Sequence, residues 1–352
     1  HLAERLQRLD EGTAYRISAD TFALLVARRE NEVFLGEVVL SKWLNQISAS
    51  CDYQGKSIPC SLRAGYSCAG SNNRDKVALL LDEAEIALTE AKTCQHRSVV
   101  QYSGRVERSH QLRLSIGVHL PEALAAKEFF PVFQPQFSLS SGAVVGFEAL
   151  CRWEHVELGF VSPQLFIHIA EQMSLLSSLD LQLLNQVVAA VNQMPAQKLE
   201  LTLSVNASPS SIQDNRYIDR LLELSKQLPS WCGLEIELTE NALISDDQSL
   251  KHSILRLQQQ GVAIALDDFG SGYSNLSYLA CFPFEKLKLD RCLISDLENN
   301  GRAADLVSGT IDLAHRLGLK VVAEGIENES QLNWLRSAGC DVGQGYLLSK
   351  PL

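Results

Sequence analysis

Beyond residue 128 the apolar positions gather into short runs separated by longer amphipathic stretches. Eight runs stand out, at residues 130–137, 143–151, 199–206, 233–239, 262–267, 286–290, 320–324 and 341–347. Most of the intervals, such as 163–194 and 303–317, hold enough chain for a helix, and this alternation predicts a largely parallel sheet. Only residues 138–142 separate the first two runs. A parallel crossover takes about a dozen residues or more, so these two are expected to form an antiparallel hairpin. Eight strands with outer helices suit a (β/α)8 barrel, and a doubly wound open sheet satisfies the same alternation equally well.

The first hundred residues read as the end of a separate α/β domain. Their one clear helical pattern runs from Val77 to Lys92, with Leu79, Leu80, Ala84, Ile86, Ala87 and Ala91 at helix spacing. Residues 105–127 turn polar and then helical, and Pro121 is expected to start a new helix there or kink the old one. The expected organisation is an N-terminal α/β domain over 1–104, a helical connector over 105–123 and the larger α/β domain over 124–352.

What separates the barrel from the open sheet is the placement of polar residues. Glu148 follows Val144-Val145-Gly146-Phe147, Asn206 follows residues 201–205, and Glu237 stands within Leu234-Glu235-Ile236-Glu237-Leu238. Asp267 and Asp268 follow residues 262–266, Lys288 sits in Lys286-Leu287-Lys288-Leu289-Asp290, Glu324 ends Val321-Val322-Ala323, and Gln344 follows Val342-Gly343. In a barrel these strand ends converge on one mouth, where active sites form. Carboxylates crowded there repel one another unless they are protonated or neutralised by cations. Hard oxygen ligands suit magnesium or manganese, and two such ions about 3.5–4 Å apart serve in-line phosphoryl displacement. Asp267 is the natural bridging ligand, with Asp268 completing the second site.

Each residue also has a plainer reading. A lone strand-end Glu is most often a solvated rim residue, an Asp-Asp before Phe-Gly-Ser-Gly can be a turn, and most lysines are surface charges. The conjunction outweighs them. The histidines lack metal-ligand spacing and are read as structural or solvated. Gly65-Tyr66-Ser67-Cys68-Ala69-Gly70 places its last glycine one position late for a nucleophile elbow, and Gly270-Ser271-Gly272 lacks the lysine of a P-loop.

Composition narrows the partners. With 42 acidic against 31 basic residues and a formal charge of −11, the chain has no broad positive surface for polymeric nucleic acid. A small phosphate-bearing substrate remains compatible, because bound cations reverse the field of an acidic pocket. Nine cysteines without Cys-x-x-Cys pairs suggest a reducing cytoplasm rather than a disulfide framework. No apolar run approaches the roughly 20 residues of a membrane helix. The pattern opens within a domain at His1, which leaves room for an upstream sensory or membrane segment.

The motifs of residues 124–352 resemble an EAL domain. Phe133-Gln134-Pro135, Glu148-Ala149-Leu150 with Arg152-Trp153, and Leu203-Ser204-Val205-Asn206 match its early motifs. Glu237-Leu238-Thr239-Glu240, Asp267-Asp268-Phe269-Gly270-Ser271-Gly272, Lys288-Leu289-Asp290, Glu324-Gly325-Ile326-Glu327 and Gln344-Gly345-Tyr346 follow in order. The resemblance implies a TIM-like barrel with an antiparallel first strand, and hydrolysis of cyclic di-GMP to linear pGpG with two Mg2+ or Mn2+ ions per domain. It implies Glu148, Asn206, Glu237 and Asp267 at the first metal, and Asp267, Asp268 and Glu324 at the second. Glu148, Lys288 and Glu324 would be the catalytic residues, with Lys288 orienting or activating the attacking water. Gln134, Leu150 and Arg152 would place the substrate, and Glu327 and Gln344 would support the metal–water network. The segment from Phe269 through Gly270, Ser271 and Gly272, braced by Glu240, resembles a loop that couples dimer contacts to metal binding, and a homodimer through this domain is implied. A receptor that binds cyclic di-GMP without cutting it is the alternative.

The first hundred residues resemble the second half of a GGDEF domain, through Asp82-Glu83-Ala84-Glu85-Ile86-Ala87-Leu88 and Ala91-Lys92. The signature reads Ser18-Ala19-Asp20-Thr21-Phe22, so both glycines are replaced and Thr21 stands where a carboxylate is expected. Arg8-Leu9-Asp10-Glu11 is out of register for the inhibitory Arg-x-x-Asp. The resemblance therefore implies a regulatory or dimerising remnant without cyclase activity.

Overall fold

A computed structural model describes residues 2–9, 12–27, 36–53, 56–68, 77–93, 97–196, 200–243, 248–270, 279, 281–297 and 301–352. The chain divides into two compact units, His1–Ser115 and Ile116–Leu352. Among the described residues no helix is long and apolar enough to cross a membrane.

In the first unit, α1 (Leu2–Gln7) precedes an antiparallel hairpin of β1 (Thr13–Arg16) and β2 (Phe22–Leu25). After α2 (Gly36–Ile47) comes a second antiparallel pair, β3 (Cys51–Tyr53) and β4 (Lys56–Ile58). β5 (Ala64–Tyr66) then pairs in parallel with β6 (Val99–Gln101) across α3 (Val77–Thr93). α3 carries the expected helical pattern, and Ala87 and Ala91 on it are completely buried with Val100 and Val106. The approach of α3 to β5 leaves no space for a side chain at Gly65, where a Cβ would lie 2.0 Å from the Leu88 amide nitrogen. Packing thus accounts for the glycine at the head of the elbow-like segment, and the hydroxyl of Ser67 donates to the carboxylate of Glu83. The chain leaves this unit through α4 (Gly104–Ala126), a single helical element in which Pro121 lies inside and removes one backbone donor.

The second unit opens with β7 (Phe129–Ser138), β8 (Val144–His155) and the short β9 (Gly159–Val161), followed by α5 (Pro163–Gln172) and α6 (Leu176–Asn192). β10 (Leu201–Asn206), α7 (Pro209–Gln213), α8 (Asn215–Ser225), β11 (Cys232–Thr239), a 3-10 turn (Glu240–Leu243), α9 (Gln248–Gln259) and β12 (Ala263–Phe269) come next. β13 (Lys286–Leu289), α10 (Arg291–Ser295), α11 (Gly301–Arg316), β14 (Lys320–Ala323), α12 (Glu329–Ser337) and β15 (Val342–Gly343) complete it.

The strands run β10-β11-β12-β13-β14-β15-β7-β8, and β8 pairs back onto β10, so the eight close into a barrel and the open-sheet alternative falls. β7 is antiparallel to both of its neighbours, β8 and β15, as the short connection requires. The main apolar core fills the space around the barrel, from Leu203, Ile236 and Ile264 on the strands to Val187, Leu221, Ile254 and Ile311 on the helices. A second cluster, with Trp153, Phe129, Phe166 and Leu120 buried together, seals the end of α4 and α5 against β7 and β8.

Two expectations are corrected. The stretch 163–194 forms two helices, because Ser174 adopts a left-handed φ of 58° and the Leu175 amide reaches back to the Ala170 carbonyl at 2.8 Å. That is a Schellman closure, which ends α5 without a glycine. The eighth run is strand over only two residues, since beyond Gly343 the chain packs on the Ile326 backbone, where a Cβ at Gly345 would lie 2.3 Å from the Ile326 nitrogen.

Candidate functional site

Because successive side chains on a strand alternate between faces, Glu148, Leu150 and Arg152 share one face of β8 and step from the barrel interior outward. Glu148 is buried, whereas Leu150 and Arg152 are half-buried. Neighbouring parallel strands bring Asn206 level with Glu237. On β12 the ladder slips between Leu266 and Phe269, so that Asp267 and Asp268 together oppose the single residue Lys288 on β13. This bulge is why two consecutive carboxylates both reach the mouth. Asp268 takes a left-handed φ of 55°, a conformation that Asp tolerates better than most side chains, and its amide donates to Asp267 Oδ1 at 2.9 Å. Just past β14 stands Glu324, and one oxygen from each of Asp267, Asp268 and Glu324 lies within 4.8 Å of the others.

Lys288 occupies the centre. Its side chain is 1% exposed, and Nζ lies 2.6 Å from Glu237 Oε2, 2.7 Å from Glu324 Oε1, 3.1 Å from Asp267 Oδ1 and 3.7 Å from Glu148 Oε2. Burial opposes its charge, but the attraction of Asp267, Glu148, Glu237 and Glu324 outweighs burial and raises its pKa well above the usual lysine value. The carboxylates diverge. Glu148 is held below the ordinary range because Lys288, Gln344 and Asn206 together overcome the cost of its burial. For Glu237, burial and the charge of Glu148 push the pKa well up. Burial raises Glu324 to about 8 against the pull of Lys288, and burial with the charges of Asp267 and Asp290 lifts Asp268 to about 6.

A belt of amides holds the near side. Asn206 Nδ2 donates to Glu148 Oε1 at 2.7 Å, and Gln344 Nε2 donates to Glu148 Oε2 at 2.6 Å and to Gln134 Oε1 at 3.0 Å. Gln134 Nε2 in turn donates to the Ser349 carbonyl at 3.0 Å.

The sequence-predicted residues Glu148, Asn206, Glu237, Asp267, Asp268, Lys288, Glu324, Gln134 and Gln344 are therefore brought together. Glu327 is not. Its exposed carboxylate pairs with Arg291 at 2.8 Å. Glu240 is buried at the start of the 3-10 turn, and Phe269 is buried at the end of β12. Gly270 has a φ of 95° and faces Leu293 so closely that a Cβ would lie 2.4 Å from it. Ser271 and Gly272 lie outside the described residues.

Four neighbours were not singled out from sequence. Gln136 is 1% exposed and donates from Nε2 to Gln344 Oε1 at 3.1 Å. One step deeper in the barrel, Lys286 Nζ meets the buried Glu235 at 2.9 Å, and Ser204 Oγ donates to the same carboxylate at 2.7 Å. Ser204, Glu235 and Lys286 each stand two residues before a recognised site residue on their own strands, and Gln136 stands two residues after Gln134, so that period of two was the available signal.

The sequence over residues 118–351 matches the EAL domain, and the chain belongs to that family. Cyclic di-GMP phosphodiesterase PA2567 of Pseudomonas aeruginosa is 32% identical over 348 residues, 98% of this chain and 58% of the relative. Cyclic di-GMP phosphodiesterase RocR of the same organism is 33% identical over 228 residues, 64% of this chain and 58% of RocR. The chain thus spans less than two thirds of the length of either relative. Among solved structures, the EAL enzyme Bd1971 with cAMP and cyclic di-GMP bound superposes with a TM-score of 0.64 at 30% identity, covering 69% of this chain and 67% of that one. The PaMucR phosphodiesterase in complex with c-di-GMP gives 0.61 at 32% identity, covering 68% and 97%.

EAL phosphodiesterases are metal-dependent in general, and the donor set here fits that requirement. Among the described residues, the carboxylates of Glu148, Glu237, Asp267 and Glu324 pair with the ammonium of Lys288, and Asp268 stands beside Asp267 and Glu324. Glu237 Oε1 is buried and accepts no hydrogen bond. A buried carboxylate oxygen without a donor, set among further carboxylates, is the type of ligand that suits a hard cation.

Proposed function

We propose that the barrel hydrolyses one phosphodiester bond of cyclic di-GMP to linear pGpG with the aid of two Mg2+ or Mn2+ ions. The observation that carries this reading is the charge imbalance at the mouth, where five carboxylates and Asn206 surround one lysine. Glu148, Asn206, Glu237 and Asp267 would hold one ion, and Asp267, Asp268 and Glu324 the other. Bound there, divalent cations supply Lewis acidity at the phosphoryl oxygens and acidify the attacking water.

The chain's own groups do the rest. Lys288 would orient or activate the attacking water, and its ammonium is placed to stabilise developing negative charge. Gln134, Leu150 and Arg152 line the rim past Glu148, where Arg152 is suited to a phosphate. In the reaction the water oxygen bonds to phosphorus, the bond from phosphorus to the ribose 3′ oxygen breaks, and the proton released ends on that oxygen. The names of PA2567, RocR and PaMucR point to the same chemistry.

The first unit is read, on its sequence resemblance alone, as a regulatory or dimerising GGDEF remnant, and pairing through the EAL barrel belongs to the same reading. The wide spacing of the nine cysteines, without Cys-x-x-Cys pairs, agrees with a reducing cytoplasm. Incubation of the full chain with cyclic di-GMP and Mg2+, followed by chromatography, tests the proposal. The expected result is pGpG, abolished by Glu148→Ala. Tight binding without product would support the receptor alternative instead.

A further inference from the structure

We infer that Gln136 is a positioning residue that fixes the carboxylate of Glu148 through Gln344, an inference that rests on the function proposed above. A carboxylate only accepts hydrogen bonds, so Gln344 must turn its nitrogen toward Glu148. Both protons of that nitrogen are then engaged, one by Glu148 at 2.6 Å and one by Gln134 at 3.0 Å. The Gln344 oxygen consequently faces the opposite way, and the group that meets it is Gln136 Nε2 at 3.1 Å. Three amides thus form a one-way chain, from Gln136 to Gln344 to Gln134 and on to the Ser349 carbonyl, with Glu148 as its branch. Reversing any one amide would set oxygen against oxygen.

The setting enforces this order. Gln136, Gln344, Gln134 and Glu148 are each less than 7% exposed, so bulk water cannot compensate for a mismatched pair. Gln136 lies across from Gly146 in the ladder, and a Cβ there would sit 3.3 Å from Gln136 Oε1 and 2.6 Å from the Thr202 carbonyl. Gln136 Oε1 itself is buried and accepts no hydrogen bond. A residue present only to fill space would avoid that cost, as an apolar side chain of similar length does. The amide is accounted for by its other end, the donor that holds Gln344.

The test is a calorimetric Mn2+ titration of the full chain carrying Gln136→Met, Gln344→Met, both or neither, with thermal unfolding followed in parallel. Gln136→Met should weaken Mn2+ binding about tenfold, the usual scale for a group that orients a ligand, and lower kcat with KM for cyclic di-GMP unchanged. In the Gln344→Met background it should have no further effect, since its only route to Glu148 is then gone. Should Gln136→Met fail to fold, Gln136→Asn, one methylene too short to reach Gln344, is read by the same criteria. Wild-type Mn2+ affinity in the Gln136 variant, or losses that multiply in the double variant, would overturn the inference while leaving the phosphodiesterase reading intact. A wild-type chain that neither binds Mn2+ nor yields pGpG would sink that reading, and the inference with it.

Discussion

The barrel interior carries two storeys of charge on the same strands, and they differ in balance. In the upper one, four carboxylates pair with Lys288 and Asp268 adds a fifth beside them. In the lower one, two residues back along β11 and β13, Glu235 faces Lys286 alone and Ser204 caps the pair. The residue types are the same, yet only the upper storey has an excess of carboxylates. Buried charge by itself therefore does not mark a metal site. Unpaired buried charge does, because a matched pair satisfies its own electrostatics while a surplus of carboxylates must protonate or bind.

The sharpest way to break this contrast is Asp268→Asn. Asparagine tolerates the left-handed conformation of Asp268 and keeps its size, so the bulge survives while one negative ligand is lost. Hydrolysis of cyclic di-GMP should fall about a thousandfold, roughly 4 kcal/mol of barrier. The melting temperature of the chelator-treated protein should hold or rise, because one repulsive charge has been removed. Undiminished turnover would show that the excess charge is not catalytic.

The lower storey should respond the other way. Glu235→Gln strands Lys286 beside a neutral amide, at a cost of about 3 kcal/mol of stability, the scale for removing one member of a buried pair. Urea denaturation should register this, with activity per folded molecule nearly unchanged. A large loss of turnover with stability intact would move Glu235 into the catalytic set. Its charge also raises the pKa of Glu237, though less than burial and Glu148 do.

The pH dependence distinguishes the storeys without mutation. In the metal-free protein Asp268 is raised from 3.8 to about 6 and Glu324 from 4.5 to about 8. A raised folded-state pKa gives stability that is full at low pH and lost as pH climbs through the shifted value. The chelated protein should therefore melt about 5 °C lower at pH 8 than at pH 5. The gain in melting temperature on adding Mn2+ should grow over the same window, because protons no longer compete for the ligands. A melting temperature that rises with pH under chelation would contradict the assigned shifts.

Much of this was legible beforehand, and the reasons are local. The five-residue link before β8 forced an antiparallel start, and polar residues at strand ends pointed to a mouth. The Asp267-Asp268 pair was legible as two candidate ligands, but the bulge that delivers both to the mouth follows from pairing with β13, which no local pattern records. Gln136 and Glu235 stayed hidden because a polar residue in the middle of a strand has no sequence mark of its own. What matters there is which residue the neighbouring strand sets beside it. The break after α5 escaped for a similar reason, since Ser174 does the work expected of a glycine.

The smallest effect is the most discriminating. Replacing the lower pair together, Glu235→Leu with Lys286→Met, removes one negative and one positive charge and leaves no charge stranded. Exchanging a buried ion pair for apolar groups of similar size is often neutral or mildly stabilising, so the double variant should unfold within about 1 kcal/mol of wild type. Its Mn2+ affinity should also stay close to wild type, because the pair presents little net field to the mouth. Ser204 loses its acceptor in this variant and is left unsatisfied. Adding Ser204→Ala should then recover any residual deficit. If stability still falls by several kcal/mol, the lower pair is more than a matched charge couple, and balance is not what separates the two storeys.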